Sequence, residues 1–142
     1  MKKQLLLTVL IVLATLPPAA CVPRVTTTFL PPEEGAAYAA EVDEYVENML
    51  VGTSECDFDK THRGFSPVWE LDEITWQQEC EAELAVRGAY QSKTLDHVEV
   101  RPGIHARVVI YHVVFENNPD VTATFYFSDD PDHLIIGLDW EE

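Results

Sequence analysis

The chain has 142 residues, 46% of them hydrophobic and 24% charged. That suits one globular domain and excludes a multidomain assembly or a large enzyme fold such as an eight-stranded α/β barrel. Nine basic side chains stand against 25 acidic ones, a formal charge of −16, and a surface of that sign repels phosphate backbones, so no nucleic-acid partner is expected.

The chain opens as a secretory leader. Lys2 and Lys3 precede the apolar run from Leu5 to Leu16, which is shorter than the ~20 residues needed to span a bilayer but suits the core of a signal peptide. Pro17 and Pro18 break the run, and Ala19-Ala20 leads into Cys21. Small residues before a cysteine resemble the bacterial lipobox, in which that cysteine is acylated and becomes the new N-terminus. Pro18 departs from the pattern, since an apolar residue is usual there, so cleavage after Ala20 without lipid stands as the alternative. The expected location is the extracytoplasmic side of the cell envelope, lipid-anchored, with plain secretion as the second choice. Removing the leader takes away Lys2 and Lys3 and makes the mature chain more acidic still.

Three cysteines are an odd number for an exported protein. With Cys21 carrying lipid, Cys56 and Cys80 remain to pair in an oxidising compartment. By the chain-entropy argument a loop of that size contributes roughly 3 kcal/mol. Neither cysteine belongs to a C-x-x-C motif, so a structural bond is preferred to a metal or redox site.

The sequence divides into residues 1–20 as signal peptide, 21–35 as lipid-attachment cysteine and proline-rich tether, and 36–142 as one domain. From Ala36, Tyr38, Val42, Tyr45, Val46, Met49 and Leu50 recur at helical spacing, opposite Glu41, Asp43, Glu44 and Glu47. Gly52 is the expected stop. Thr53 to Gly64 reads as a polar, turn-rich stretch, and Ser66-Pro67 as the start of a short helix through Leu71. Thr75 to Gln78 fits a capping box, opening a helix with Trp76, Cys80 and Leu84 on one face and Gly88 at its end. The period then changes to two. Strands are predicted over Ala89 to Val100 with a kink near Thr94, over His105 to Glu116, over Val121 to Ser128 and from Leu134 to Trp140, where Leu134, Ile136, Leu138 and Trp140 alternate. Short turns between them imply an antiparallel meander. The expected class is α+β, with N-terminal amphipathic helices on a four-stranded sheet.

That order of elements, together with Ala106–Glu116, Thr124-Phe125-Tyr126-Phe127 and the closing Ile135-Ile136-Gly137-Leu138-Asp139-Trp140, resembles small secreted bacterial proteins of the nuclear-transport-factor-two-like superfamily. The resemblance covers about residues 36 to 142. It implies a curved sheet wrapped around a long helix as a cone, with a pocket between sheet and helices. Some relatives are isomerases, dehydratases or hydrolases, and many are non-catalytic binding or dimerisation modules, often paired through their sheets. A shared fold assigns no reaction.

The residues carry no catalytic motif of nucleophile-elbow, zinc-protease, dinucleotide or phosphate-loop type, and no cofactor is implied. On chemical grounds the nearest candidates are His112, Tyr126, Tyr90 and Asp139. A lone mid-strand histidine among apolar neighbours is more often structural than catalytic. Trp76 and Trp140 read as core aromatics. Asp57 and Asp59 begin like a calcium loop but lack its glycine and terminal glutamate. Asp129, Asp130, Asp132 and His133 read as a solvated turn in preference to a cation site. The expected role is non-catalytic binding or self-pairing, with Thr122, Thr124 and Tyr126 as the contact surface. The alternative is a small-molecule enzyme using His112 and Asp139 in the pocket. A third option, an inhibitor of a basic partner, rests on acidity alone.

Overall fold

The computed structural model describes residues 26–142; the signal peptide expected over residues 1–20 and the expected lipid-attachment residue Cys21 lie outside the described residues. A two-residue strand, β1 (Thr28–Phe29), precedes three helices, α1 (Pro32–Glu55), α2 (Phe58–His62) and α3 (Glu73–Arg87). Four longer strands follow: β2 (Tyr90–Arg101), β3 (Ala106–Phe115), β4 (Val121–Ser128) and β5 (Ile135–Glu141). The sheet is antiparallel throughout in the order β1-β2-β3-β4-β5. The α+β expectation holds, but the sheet has five strands where four were expected. The extra strand lies in the stretch read as a tether, where Thr28 and Phe29 pair with Val100 and Glu99. The start of α1 also falls within that stretch, with Pro32 in the first turn, where its missing N–H costs nothing.

Alternation sorts the strands into two faces. Val109, Tyr111, Val113 and Phe115 of β3 join Val121, Ala123, Phe125 and Phe127 of β4 in one core with Tyr38, Val42, Val46, Met49 and Leu50 of α1. The opposite face carries His112, Thr122, Thr124 and Tyr126, alternating with that set. Ala106 and Val108 are fully buried even on this second face, which is why β3 reads apolar on both sides.

Two strands depart from strict alternation through bulges, each of which inserts a residue and flips the faces beyond it. In β2 the register shifts between Tyr90 and Ser92 and again between Leu95 and His97, on either side of the kink expected at Thr94. In β5, Tyr126 pairs with Gly137 but Phe127 with Ile135, leaving Ile136 as the extra residue. The inward set is therefore Ile135, Leu138 and Trp140, not the strictly alternating set read from the sequence.

Three helical expectations are also corrected. First, α1 runs past Gly52 to Glu55. A Cβ at position 52 would lie 2.5 Å from the Thr61 hydroxyl and 2.6 Å from its backbone nitrogen, so the glycine serves the close approach of α2 rather than a stop. The stop is Cys56, in the left-handed conformation at φ 48°. Second, the helix begun at Ser66-Pro67 is absent. Ser66 donates its N–H to the Ile135 carbonyl at 2.9 Å, and Ile135 donates to Gly64 at 2.8 Å. The chain is thereby tied along β5 beside Phe65 as a short parallel bridge, which covers an otherwise open sheet edge. Third, α3 is capped by Asp72, whose carboxylate accepts from the Thr75 backbone at 2.8 Å and from its hydroxyl. Thr75 is the third helical residue, not the cap. The stretch read as turn-rich holds α2, capped by Asp57.

Cys56 and Cys80 form a disulfide with Cα atoms 5.8 Å apart, joining the end of α1 to the middle of α3. No helix among the described residues is long and apolar enough to cross a membrane.

The assignment of faces is open to direct test. Phe125→Ala should cost about 3–5 kcal/mol in denaturant unfolding, whereas Thr124→Ala, one residue away on the other face, should cost under about 1 kcal/mol. Equal costs would contradict the register.

Candidate functional site

The residues singled out from the sequence lie mainly on the helix-free face. His112 is exposed, with its Nε2 3.3 Å from Asp120 Oδ1 in the adjacent turn, where a buried site was expected. Asp139 accepts from the Tyr126 hydroxyl at 3.1 Å. The register places His112 beside Thr122, Thr122 beside Glu141, and Asp139 beside Thr124. His112 and Asp139 are therefore separated by two strand spacings, about 10 Å, and by two residues along the strand. Each has its own partner, and neither lies in the space between sheet and helices. That space is packed with Met49, Phe125 and Phe127, with Trp140 against them.

Tyr126 lies within a row of contacts across the sheet. The Arg101 guanidinium sits 5.4 Å above its ring, donates to its hydroxyl at 3.3 Å, and is paired with Glu99 at 2.6 Å. Glu99 and Asp96 both contact His97, at 3.1 Å and 2.8 Å, and Phe29 packs on the His97 ring. Burial would lower the His97 pKa, but its bonds to Glu99 and Asp96 prevail and hold it above the ordinary value. The row roofs the buried Val108 and Ile110 of β3. Thr122 and Thr124 are half-buried beside it.

Tyr90, the remaining candidate, lies under α1, its hydroxyl 3.2 Å from Glu47. Lys93 bridges Asp43, at 3.1 Å, and Glu47. Next to them the Tyr111 hydroxyl is buried without a hydrogen-bond partner among the described residues, and burial pushes its pKa up to about 12. In the β4–β5 turn, Asp129 faces Arg107 and His133 faces Glu41. Among the described residues no three His, Cys, Asp or Glu side chains converge to hold a metal ion.

A different place combines shape with chemistry. Between the end of α1, α2, α3, the segment docked on β5 and β5 itself lies a solvent-open cleft of about 250 Å³. Trp69, Trp76 and Trp140 all line it, and these are the three tryptophans of the chain. Trp76 and Trp140, read from sequence as core, are only part-buried. Rings connect across the cleft edge to face: Trp69 to Phe65 at 5.3 Å, Phe65 to His62 at 5.1 Å and His62 to Trp76 at 5.2 Å. Met49, Leu71 and Leu138 add apolar wall.

The polar lining is largely engaged. The hydroxyls of Thr53 and Thr61 donate to the carbonyls of Met49 and Asp57. Arg87 is paired with Glu83 at 3.3 Å and Glu142 at 2.7 Å, and its guanidinium stacks on Trp140 at 5.1 Å and on Phe115 at 5.2 Å. His62 Nδ1 lies 2.8 Å from the Phe58 carbonyl. A carbonyl can only accept, so Nδ1 carries the proton and Nε2 the lone pair. Burial among the rings lowers the His62 pKa below 6.5, against the opposing bond to Phe58, so the ring is neutral at pH 7. His62 escaped the sequence reading because it lies in a polar stretch. The signal available was the aromatic spacing Phe58, His62, Phe65, Trp69 across that stretch.

The two perturbed histidines act on stability with opposite sign. The folded His62 value is depressed, so its contribution is present above pH 6.5 and is lost as pH falls through the folded value. The folded His97 value is raised, so its contribution is complete below 6.5 and is lost as pH rises through the folded value. In an NMR titration of the imidazole protons, His62 should have its midpoint below 6.5 and His97 above it. The reverse order would contradict the contacts described.

Comparison with protein-family models, with curated proteins and with solved structures finds no match to this chain in any of the three.

Proposed function

We propose that the chain is an exported recognition module, anchored by lipid at Cys21, that holds a small organic ligand in the tryptophan cleft without transforming it. The observation that carries this reading is the convergence of all three tryptophans on one open cleft. Trp is costly to leave part-exposed and is concentrated where large apolar surface meets a partner. At about 250 Å³ the cleft lies just below the ~300–1,000 Å³ typical of ligand pockets, and it shows their usual mix of apolar wall and few polar groups.

Export is supported by the leader and by the Cys56–Cys80 bond, which suits an oxidising compartment. The long helix laid across one face of a bulged antiparallel sheet supports kinship with the nuclear-transport-factor-two-like superfamily and a cone-like curvature. Catalysis by His112 and Asp139 draws no support from their separate partners. Pairing through Thr122, Thr124 and Tyr126 is disfavoured, because the apolar strip beneath that face is already roofed by Arg101 and Tyr126.

The test is a protein-observed NMR screen of aromatic fragments of both charges and none, using the unlipidated mature chain, residues 21–142. Hits should shift the three indole N–H signals together, and Trp76→Ala should weaken them at least tenfold. Hits confined to Thr122, Thr124 and Tyr126, or no saturable hits, would overturn the proposal.

A further inference from the structure

We infer that the occupant of the tryptophan cleft is an organic cation, a protonated amine or quaternary ammonium carried on a short apolar or aromatic body. The inference rests on the recognition reading above and names its ligand class.

Three observations point to positive charge. The first is the charge left over at the cleft. Glu79, Glu83 and Arg87 line it, and Glu142 shares Arg87 with Glu83. One guanidinium thus serves two carboxylates, and Glu79 has no hydrogen bond or ion pair among the described residues. His62 contributes a lone pair and no charge at neutral pH, so nothing else in the lining offsets the excess of carboxylate. The second is the use the fold already makes of these rings. Arg87 stacks on Trp140 at 5.1 Å, which shows that one wall of the cleft accepts a cation on an indole face. Among the described residues no Lys or Arg stacks on Trp69 or Trp76, so two further indoles are without a cation of the chain's own. Cations over indole are the strongest of the cation–π pairs, and aromatic walls with a nearby carboxylate are how ammonium groups are recognised. The third is the field of the whole chain: a formal charge of −16 draws cations toward the surface and repels anions.

A neutral sugar would also stack on tryptophan. It needs many free side-chain donors and acceptors around its rim, however, and here Thr53, Thr61 and Arg87 are already engaged. The apolar body is asked for by Phe65, Leu71 and Leu138, which fill the wall between the rings.

The experiment compares 2-phenylethylammonium with 2-phenylethanol, nearly the same shape with and without charge, on the oxidised mature chain at pH 7 and low salt. Dissociation constants come from the indole shifts. The ammonium should bind at least tenfold tighter than the alcohol, 3-phenylpropionate should bind more weakly than either, and salt should narrow the gap. Glu79→Gln should cut the preference for the ammonium over the alcohol to threefold or less. Alcohol binding equal to or tighter than the ammonium, with the indoles still shifting, would overturn the cation assignment alone. If neither compound shifts the indoles, the recognition reading itself fails.

Discussion

Of all the side chains on α3, only Cys80 is fully buried, and it is bonded to Cys56. Most helices are held by an apolar stripe of several residues. This one is held by a covalent bond to the end of α1, flanked by Trp76 one turn earlier and Leu84 one turn later. The position of α3, and with it one wall of the cleft, therefore leans on that bond, with Arg87 on Trp140 and Phe115 and Trp76 on His62 as further ties to the rest of the fold. Cys56 takes a left-handed backbone at that point, a conformation that costs a non-glycine residue about 1–2 kcal/mol and persists only where its surroundings enforce it. The bond and the hydrogen bond from Asp57 to Gly52 do so.

The opposite wall is fixed by a different means. The segment from Gly64 to Ser66 is laced to Ile135, which brings Phe65 against His62 and holds Trp69 at the mouth. The sheet thus serves the cleft twice: as a solid platform through Phe125, Phe127 and Val109, and as an edge on which a loop is hung. The other face of the sheet, a sealed row from Phe29 to Asp139, has its polar groups satisfied among themselves. Polar groups that are mutually satisfied stabilise a surface without asking for a partner. The contrast between that closed row and the part-exposed indoles distinguishes structure from site in this molecule.

How far the sequence could be read follows from which interactions are local. The stripe of α1 and the alternation of β4 were legible because each is a repeat within one segment, and the pairing of Cys56 with Cys80 because it follows from a count of three cysteines with Cys21 set aside. The bulge at Ile136 was not, since it depends on where Gly137 must lie beneath the Tyr126 ring, so close that a Cβ there would meet the ring at 3.1 Å. The helix expected at Pro67 lost to hydrogen bonds with Ile135, almost seventy residues away in the chain. Thr75 mimicked a cap because Asp72, the real one, uses the same geometry three residues earlier. His112 was expected inside because its neighbours are apolar, but β3 is apolar on both faces and the histidine is on the open one. The cleft itself was invisible because its rings come from four separate segments, α2, the Phe65–Trp69 stretch, α3 and β5, which only the fold brings together.

The most direct test of this account is the set of intermolecular NOEs from one bound arylalkylammonium to the three indole rings, recorded before and after reduction of the disulfide. Contacts to Trp69, Trp76 and Trp140 together are predicted in the oxidised protein, with loss of the Trp76 contacts once Cys56 and Cys80 are reduced. Contacts to a single indole, or a pattern that survives reduction unchanged, would contradict it.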